Sequence, residues 1–511
     1  MEIVQNSVAG SLILPLWSLL LDCYEYSLLA KLLRALAGGW KKAWHGSFLV
    51  GILTREGAFS RAWRHSAACM VITLVLNLPV SLLHWVYCRL KPVFDGSVAA
   101  QLAFGMGEQT PAAVGWVFLV IMIIPYEQWN NLYSLVGFFL MLLLLLAGGM
   151  HRRSLRLDVA AMGPYMVFYA AAVLLAFPLS AFRGLSWRLV FFHLTWMLCV
   201  IVTVSAVERP EQLERLAAFA CLGLAAVSAY GGVQGIQGVK VNPSYVDLLV
   251  NEGMPGRIFS VFENPNACAE VLAMLIPMAV ALMLGSKRWS GRALGFFSAG
   301  LGVVAIFMTY GRASWIGLAV AALLFVFLWN RALLPGLILL GLVAVPLLPN
   351  TIFNRILTIF NTKDTSTTSR FPLFAAALRL LKVRPLLGAG LGTDAVRQAV
   401  KDLNLYHGVA PFVHAHDVYL QIWAETGLLG IVSFLGAMGW SLKSAVRAAL
   451  SEHCPRPVRM IAIGGASAIL GMLVCGLVDY MWNYPRVMVI FWFVVSLTLS
   501  AVRLSRRAAK Y

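Results

Sequence analysis

What most constrains this chain is a series of continuous apolar windows of roughly 20 residues, the length a helix needs to cross a bilayer core. They recur from about residue 111 to about residue 503. Spans are read near 111–125, 132–150, 159–182, 187–207, 214–233, 265–285, 293–310, 313–330, 332–348, 417–440, 458–478 and 485–503, or about twelve in all. Apolar residues run continuously in these windows instead of alternating, which excludes a membrane β-barrel. The sequence is 60% hydrophobic and 12% charged, where a soluble domain carries about 25% charged residues. The predicted fold is all-α, a polytopic transmembrane helical protein with a large outward-facing loop that contains short amphipathic helices.

Four regions are expected: a basic membrane-associated N-terminal region (1–110), transmembrane helices (111–348), a large extracytoplasmic loop carrying catalytic elements (349–416), and C-terminal transmembrane helices with a basic cytoplasmic tail (417–511). In the first region Lys31, Arg34, Lys41, Lys42, Arg55, Arg61 and Arg64 alternate with Trp40, Trp44 and Trp63. That mixture reads as a helix lying on an anionic cytoplasmic surface, or as an ordinary basic arm. One or two further crossings, by 8–24 and 67–88, are left open. No cleavable signal peptide is expected, because MEIVQN lacks a basic n-region.

The net charge of +18 sits mainly in short loops and at the ends. Arg152, Arg153 and Arg156, then Lys287, Arg288 and Arg292, then Lys443 and Arg447, then Arg503, Arg506, Arg507 and Lys510 fall on one side of a twelve-span topology. By the positive-inside rule that side is the cytoplasm. The charge therefore reads as orientation, and nucleic acid is not an expected partner. The 8 cysteines are scattered, mostly in apolar runs, with no CxxC; neither a disulfide framework nor a zinc site is supported.

The outward face then holds Arg257, Arg312, Arg370 and Arg486, against the charge trend. Snorkelling from helix ends accounts for such residues in general. A guanidinium placed there also suits phosphate, because its planar fork binds two oxygens and stays charged. In the loop, Phe371, Phe374, Leu378 and Leu381 recur at helical spacing, with Arg379, Lys382 and Arg384 near the other side. This predicts an amphipathic surface helix that Pro385 ends. The turn LLGAGLG follows; it serves either as a structural turn or as a set of N–H groups that approach a phosphate. Thr393 is expected to cap a second short helix.

His416 is expected in the first turn of the helix that re-enters the membrane. A histidine at a water-accessible helix end is a competent general base. His414, two residues away, is kept as a substrate-binding candidate with Arg257, Arg312 and Arg370. Glu425 falls out of phase with His416 and reads as a structural ion-pair partner. There is no D-x-D, no G-x-x-x-x-G-K-[ST] and no H-E-x-x-H, which argues against a usual metal-dependent nucleotide-sugar transferase, a P-loop ATPase and a zincin. No cofactor or metal is expected.

Four stretches carry a resemblance: GRIFSVFENPN (256–266), GRASWIG (311–317), SRFPLFAAALRLLKVRPLLGAGLG (369–392) and HAHDVYLQIWAETGLLG (414–430). With them the chain resembles the O-antigen ligase and polymerase superfamily of bacterial membrane proteins. His416-Asp417 departs mildly from the His-Asn or His-Ser often seen in that family. The resemblance implies about twelve helices with a large periplasmic or extracellular loop in a multi-pass protein of the bacterial cytoplasmic (inner) membrane. It also implies transfer of a glycan from a polyprenyl (undecaprenyl) diphosphate carrier to a hydroxyl of a glycan, lipid or protein, inverting and without a metal. His416 matches the family's essential histidine, and Arg370 and Arg312 match the arginines taken to hold the diphosphate. Arg257 matches an arginine of less settled role. Ligase and polymerase remain open, and a polytopic transporter or flippase stands as the alternative. Against the latter, the outward charges lie at helix ends, whereas transporters place theirs near the midplane.

Overall fold

The structure, a computed structural model, describes residues 26–27, 31, 51, 55–152, 155–242, 253–358, 370–408 and 411–509. The chain divides into two compact units, Met1–Gly57 and Ala58–Tyr511. Most of the first, with Trp40, Trp44 and the run 8–24, lies outside the described residues, as do Arg153 and Lys510. The helical bundle is the second unit. Among its described residues the secondary structure is helical, without a strand.

The innermost helix is the last, Pro485–Ala508, whose apolar window is wholly buried. Pro265–Gly285 and Arg456–Cys475 pack around it and are nearly as enclosed. A helix apolar on every side belongs inside a bundle, and these sequences are. Pro265–Gly285 starts where it does for a local reason. Asn264 caps it, its side chain accepting from the Asn266 N–H at 2.7 Å, and Pro265 takes the first position, where no N–H is needed. Ala67–Arg89 lies at the periphery, with Leu74, Leu78, Leu82 and Trp85 exposed, as a lipid-facing helix must have them.

Among the described residues ten helices are long and apolar enough to span, or eleven if a bent pair is counted. The expected count of about twelve is not confirmed among the described residues, and Arg312–Leu347 enters that count once although it holds two helices, Arg312–Asn330 and Leu334–Ala344. The run 67–88, whose crossing the sequence left open, forms one of the long helices. The window 111–125 yields only Thr110–Ile123, which joins Val98–Glu108 at a 69° bend. The window 159–182 breaks at Gly163, whose φ of 81° ends Val159–Met162 before Pro164–Ala176 begins. Apolar periodicity carries no signal for such breaks.

Arg312–Leu347 registers as one apolar stretch by composition, yet its two ends meet. The Tyr310 and Thr351 hydroxyls lie 3.2 Å apart, and Arg312 Nη1 donates to the Thr358 carbonyl at 2.8 Å. Arg312–Asn330 alone is about 28 Å long, so Leu334–Ala344 must bring the chain back. Trp63 also corrects an expectation. It is buried against Phe168, with ring centroids 5.8 Å apart, and is not an interfacial anchor.

Candidate active site

Asp479 is the centre of the site. It lies in the short connection between Arg456–Cys475 and Pro485–Ala508. Its Oδ1 accepts from the Tyr480 N–H at 2.9 Å and stands 3.5 Å from His416 Nδ1. Its Oδ2 accepts from Asn266 Nδ2 at 3.3 Å and stands 3.9 Å from Arg370 Nη2. Burial alone would raise this carboxyl. His416 and the Arg370 guanidinium outweigh burial and hold it well below the usual carboxylate range. Asp479 is thus a fixed negative charge.

His416 does not lie in the first turn of its helix, as expected, but just before it. Asp417 is the N-cap of Val418–Leu450 and accepts from the Leu420 N–H at 2.7 Å. His416 sits at φ 49°, a left-handed conformation that non-glycine residues enter only when their surroundings impose it. The surroundings are specific. The Ala415 N–H donates to Gln421 Oε1 at 2.9 Å, the His416 N–H to His414 Nδ1 at 3.1 Å, and the Val418 N–H to the Gly476 carbonyl at 2.8 Å. The imidazole is thereby aimed at Asp479 and keeps 30% of its side-chain surface open.

His414 has a different part. It is buried, 4.0 Å from the His416 ring and 5.5 Å from the Tyr480 ring. Burial first, then the charges of His416 and Arg370 against the pull of Asp479, lower its pKa to about 3. A neutral ring accepting at Nδ1 carries its proton on Nε2, so His414 holds the turn as a hydrogen-bond acceptor. Glu425 is not the ion-pair partner expected of it. It accepts from Gln421 Nε2 at 2.8 Å and from the Tyr480 hydroxyl at 3.1 Å.

Arg257 joins the cluster through one intermediary. It is buried, donates from Nε to the Thr309 carbonyl at 2.6 Å, and donates from Nη2 to Asn266 Oδ1, the residue that holds Asp479. Its loop is stitched down by Gln234, which accepts from the Ser260 N–H at 2.7 Å and returns a bond to the Ser260 carbonyl at 3.0 Å. Arg312 is directed elsewhere, to the Thr358 carbonyl and hydroxyl. Arg486 neither snorkels nor reaches the cluster. It is buried between the rings of Trp129 and Phe262, 4.5 and 4.7 Å from their centroids, and donates to the Ile121 and Val261 carbonyls. The structure thus gathers Arg257, Arg370, His414 and His416 around Asp479 and sends Arg312 and Arg486 to other partners.

Asp479, Asn266 and Tyr480 were absent from the candidates read off the sequence. One signal was present for Asp479: a lone carboxylate in GLVDYMWN, between apolar spans, needs a partner of opposite charge.

The loop helix forms as Arg370–Val383, but its buried face differs from the predicted one. Leu373, Ala376, Ala377, Leu380 and Leu381 are buried, whereas Phe371 and Leu378 are exposed. Small residues let the helix sit close, so alanines define the packed side. Thr393 is the first helical residue, not the cap; Gly392 holds the cap position. The glycine turn is structural. Residues 388–392 are buried, the Ala389 N–H donates to the Ala424 carbonyl at 2.7 Å, and the Gly390 N–H to the Glu425 carbonyl at 3.2 Å. Those N–H groups are spent on the membrane helix.

The same contact breaks Val418–Leu450 at Gly427 (φ 71°, ψ −169°), freeing the Leu428 N–H to donate to the Leu386 carbonyl at 3.2 Å. A Cβ on Gly427 would stand 2.0 Å from that carbonyl oxygen. Gly427→Ala is expected to cost roughly 2–4 kcal/mol from left-handed strain and the clash. It should appear as a lowered melting temperature and loss of monodisperse protein on fluorescence-detected chromatography. An unchanged melting temperature would mean that the break is not imposed by this packing.

Residues 297–435 match the family described as O-Antigen ligase. That stretch contains Arg312, Arg370, His414 and His416. A 168-residue segment is 27% identical to an uncharacterised protein of Haemophilus influenzae, covering 29% of this chain and 42% of that one. The chain thus spans less than half the length of this relative.

Proposed function

We propose, from its place in the O-antigen ligase and polymerase superfamily of membrane enzymes, that this chain is a ligase-type glycosyltransferase. It takes a glycan from a polyprenyl diphosphate carrier and gives it to an acceptor hydroxyl on the outer side of the bacterial inner membrane. The reading is carried by one observation: a half-exposed histidine and an arginine share the same carboxylate, Asp479.

The chemistry is a displacement at the anomeric carbon. The acceptor oxygen forms the new C–O bond as the bond to the diphosphate breaks, and the diphosphate leaves with the electron pair. Configuration inverts. His416 takes the hydroxyl proton on Nε2, while Asp479 at Nδ1 orients the ring and offsets the imidazolium charge, the division of labour of a catalytic triad. Arg370, with Arg312 brought from Thr358, stabilises the departing diphosphate. That leaving group needs no proton, and arginines replace a metal in balancing its charge. Arg257 acts through Asn266, as a positioning residue. The membrane places the prenyl tail, so the site stands at helix ends.

The topology has a direct test. With the exposed Cys88 and Cys23 replaced by serine, Lys401→Cys should react with an impermeant maleimide added to intact cells. Arg507→Cys should react only after permeabilisation. Labelling of both from outside overturns the assignment of sides. For the reaction, purified protein in proteoliposomes should convert lipid-linked glycan extracted from a strain deleted for this gene. Turnover that collapses with EDTA and returns with a divalent cation would overturn the metal-independent mechanism.

A further inference from the structure

Beside the Asp479 cluster lies a separate cleft of about 410 Å³. Three connections build it: residues 126–131, residues 262–267 and residues 483–487. Its walls include Tyr126, Trp129, Phe262 and Tyr484, with Asn131, Glu263, Asn483 and Arg486 among them. Ala267 lines it, and the preceding residue, Asn266, holds Asp479. The cleft therefore opens at the same end of the bundle as the candidate active site, one residue step away.

Its chemistry is unlike that of a prenyl or diphosphate site. Its one arginine is pinned between Trp129 and Phe262, two of its wall rings. Arg486 as a residue is 5% exposed, yet its buried Nη2 has no hydrogen-bond partner. A buried donor left unsatisfied is costly and calls for an oxygen. Asn131 orients the wall by accepting from Trp129 Nε1 at 2.8 Å, while Glu263 is exposed at the rim. Flat aromatic faces beside amide and carboxylate groups suit pyranose rings, whose C–H faces stack while their hydroxyls donate and accept.

We propose that this cleft binds the acceptor saccharide and delivers its hydroxyl to His416. The assignment rests on the glycan-transfer reading above. The donor glycan is already fixed through its diphosphate at Arg370, so a second saccharide site falls to the acceptor.

The test is a two-substrate kinetic split with the full chain in proteoliposomes. The donor is lipid-linked glycan from the deletion strain. The acceptor probe is the unmodified surface glycolipid from the same strain, and its oligosaccharide, released by mild acid, serves for binding. Trp129→Ala and Glu263→Ala are expected to raise the acceptor KM at least tenfold, with donor KM and saturated kcat within twofold. The oligosaccharide should quench wild-type tryptophan fluorescence, and Trp129→Phe should remove most of that change. Asn483→Ala should shift acceptor KM in the same direction, which keeps the proposal open to test if Trp129→Ala does not fold. An unchanged acceptor KM in Glu263→Ala and Asn483→Ala overturns it, as does a rise in donor KM instead. Failure of the underlying reading looks different: wild-type protein would show no transfer, or His416→Ala would keep it.

Discussion

His416→Ala is expected to lower the rate of glycan transfer by roughly a hundred- to ten-thousandfold, the range for loss of a positioned acid–base group. Donor binding should survive if, as proposed, the arginines and not the imidazole hold the diphosphate. The expectation rests on geometry. His416 is the half-exposed member of the histidine pair, it stands 3.5 Å from Asp479, and it is held at φ 49° by bonds from both sides. His414 is buried, and its Nδ1 is already committed to the His416 N–H. His414→Ala should therefore cause a much smaller loss, seen as a looser turn. His414→Gln, which retains a buried acceptor, should recover part of it. The measurement is turnover of purified variants at saturating donor, with donor KM followed separately. Near wild-type turnover in His416→Ala, or loss confined to His414→Ala, would place the base at the other histidine.

The sequence made the membrane helices legible because bilayer length and apolarity write themselves into every window. Breaks were not legible. Gly427 looks like any other glycine of a span, yet its conformation is set by the Leu386 carbonyl some forty residues earlier. The helix beginning at Arg370 was expected correctly, but its packed side was not. Hydrophobicity favours Phe371 and Leu378, whereas close approach to the neighbouring helix favours Ala376 and Ala377. In the site, His416 and Arg370 stood out because polar residues are scarce where the chain re-enters the bilayer. Asp479 did not, because its significance is a distance. It lies 63 residues after His416 and 109 after Arg370, and the packing of both Arg456–Cys475 and Arg370–Val383 against Val418–Leu450 brings the three together. Arg312 shows the converse: its place in the sequence suggested convergence, and the bundle directs it to Thr358.

Arg370→Ala is expected to cut kcat/KM for the donor by roughly a hundredfold or more. Two charge-assisted hydrogen bonds to a diphosphate, at about 1.5–3 kcal/mol each, supply that effect. Arg370→Lys should rescue poorly, because a point charge does not replace a planar fork, and Arg312→Ala should fall in the same direction. The difficulty is that Arg370 also lies 3.9 Å from Asp479. A residue serving only to balance that carboxylate would show a loss as well, since Asp479 would lose one of the partners that fix it beside His416. The double variant separates the two roles. Asp479→Asn removes the carboxylate charge and should itself lower kcat strongly, through loss of ring orientation, while leaving donor KM near wild type. If Arg370 is a clamp, adding Arg370→Ala to Asp479→Asn raises donor KM as much as it does in the wild-type background. If Arg370 merely neutralises Asp479, the second substitution adds nothing. Donor KM in the double variant is therefore the deciding number, and a value equal to that of Asp479→Asn alone would remove Arg370 from the diphosphate site.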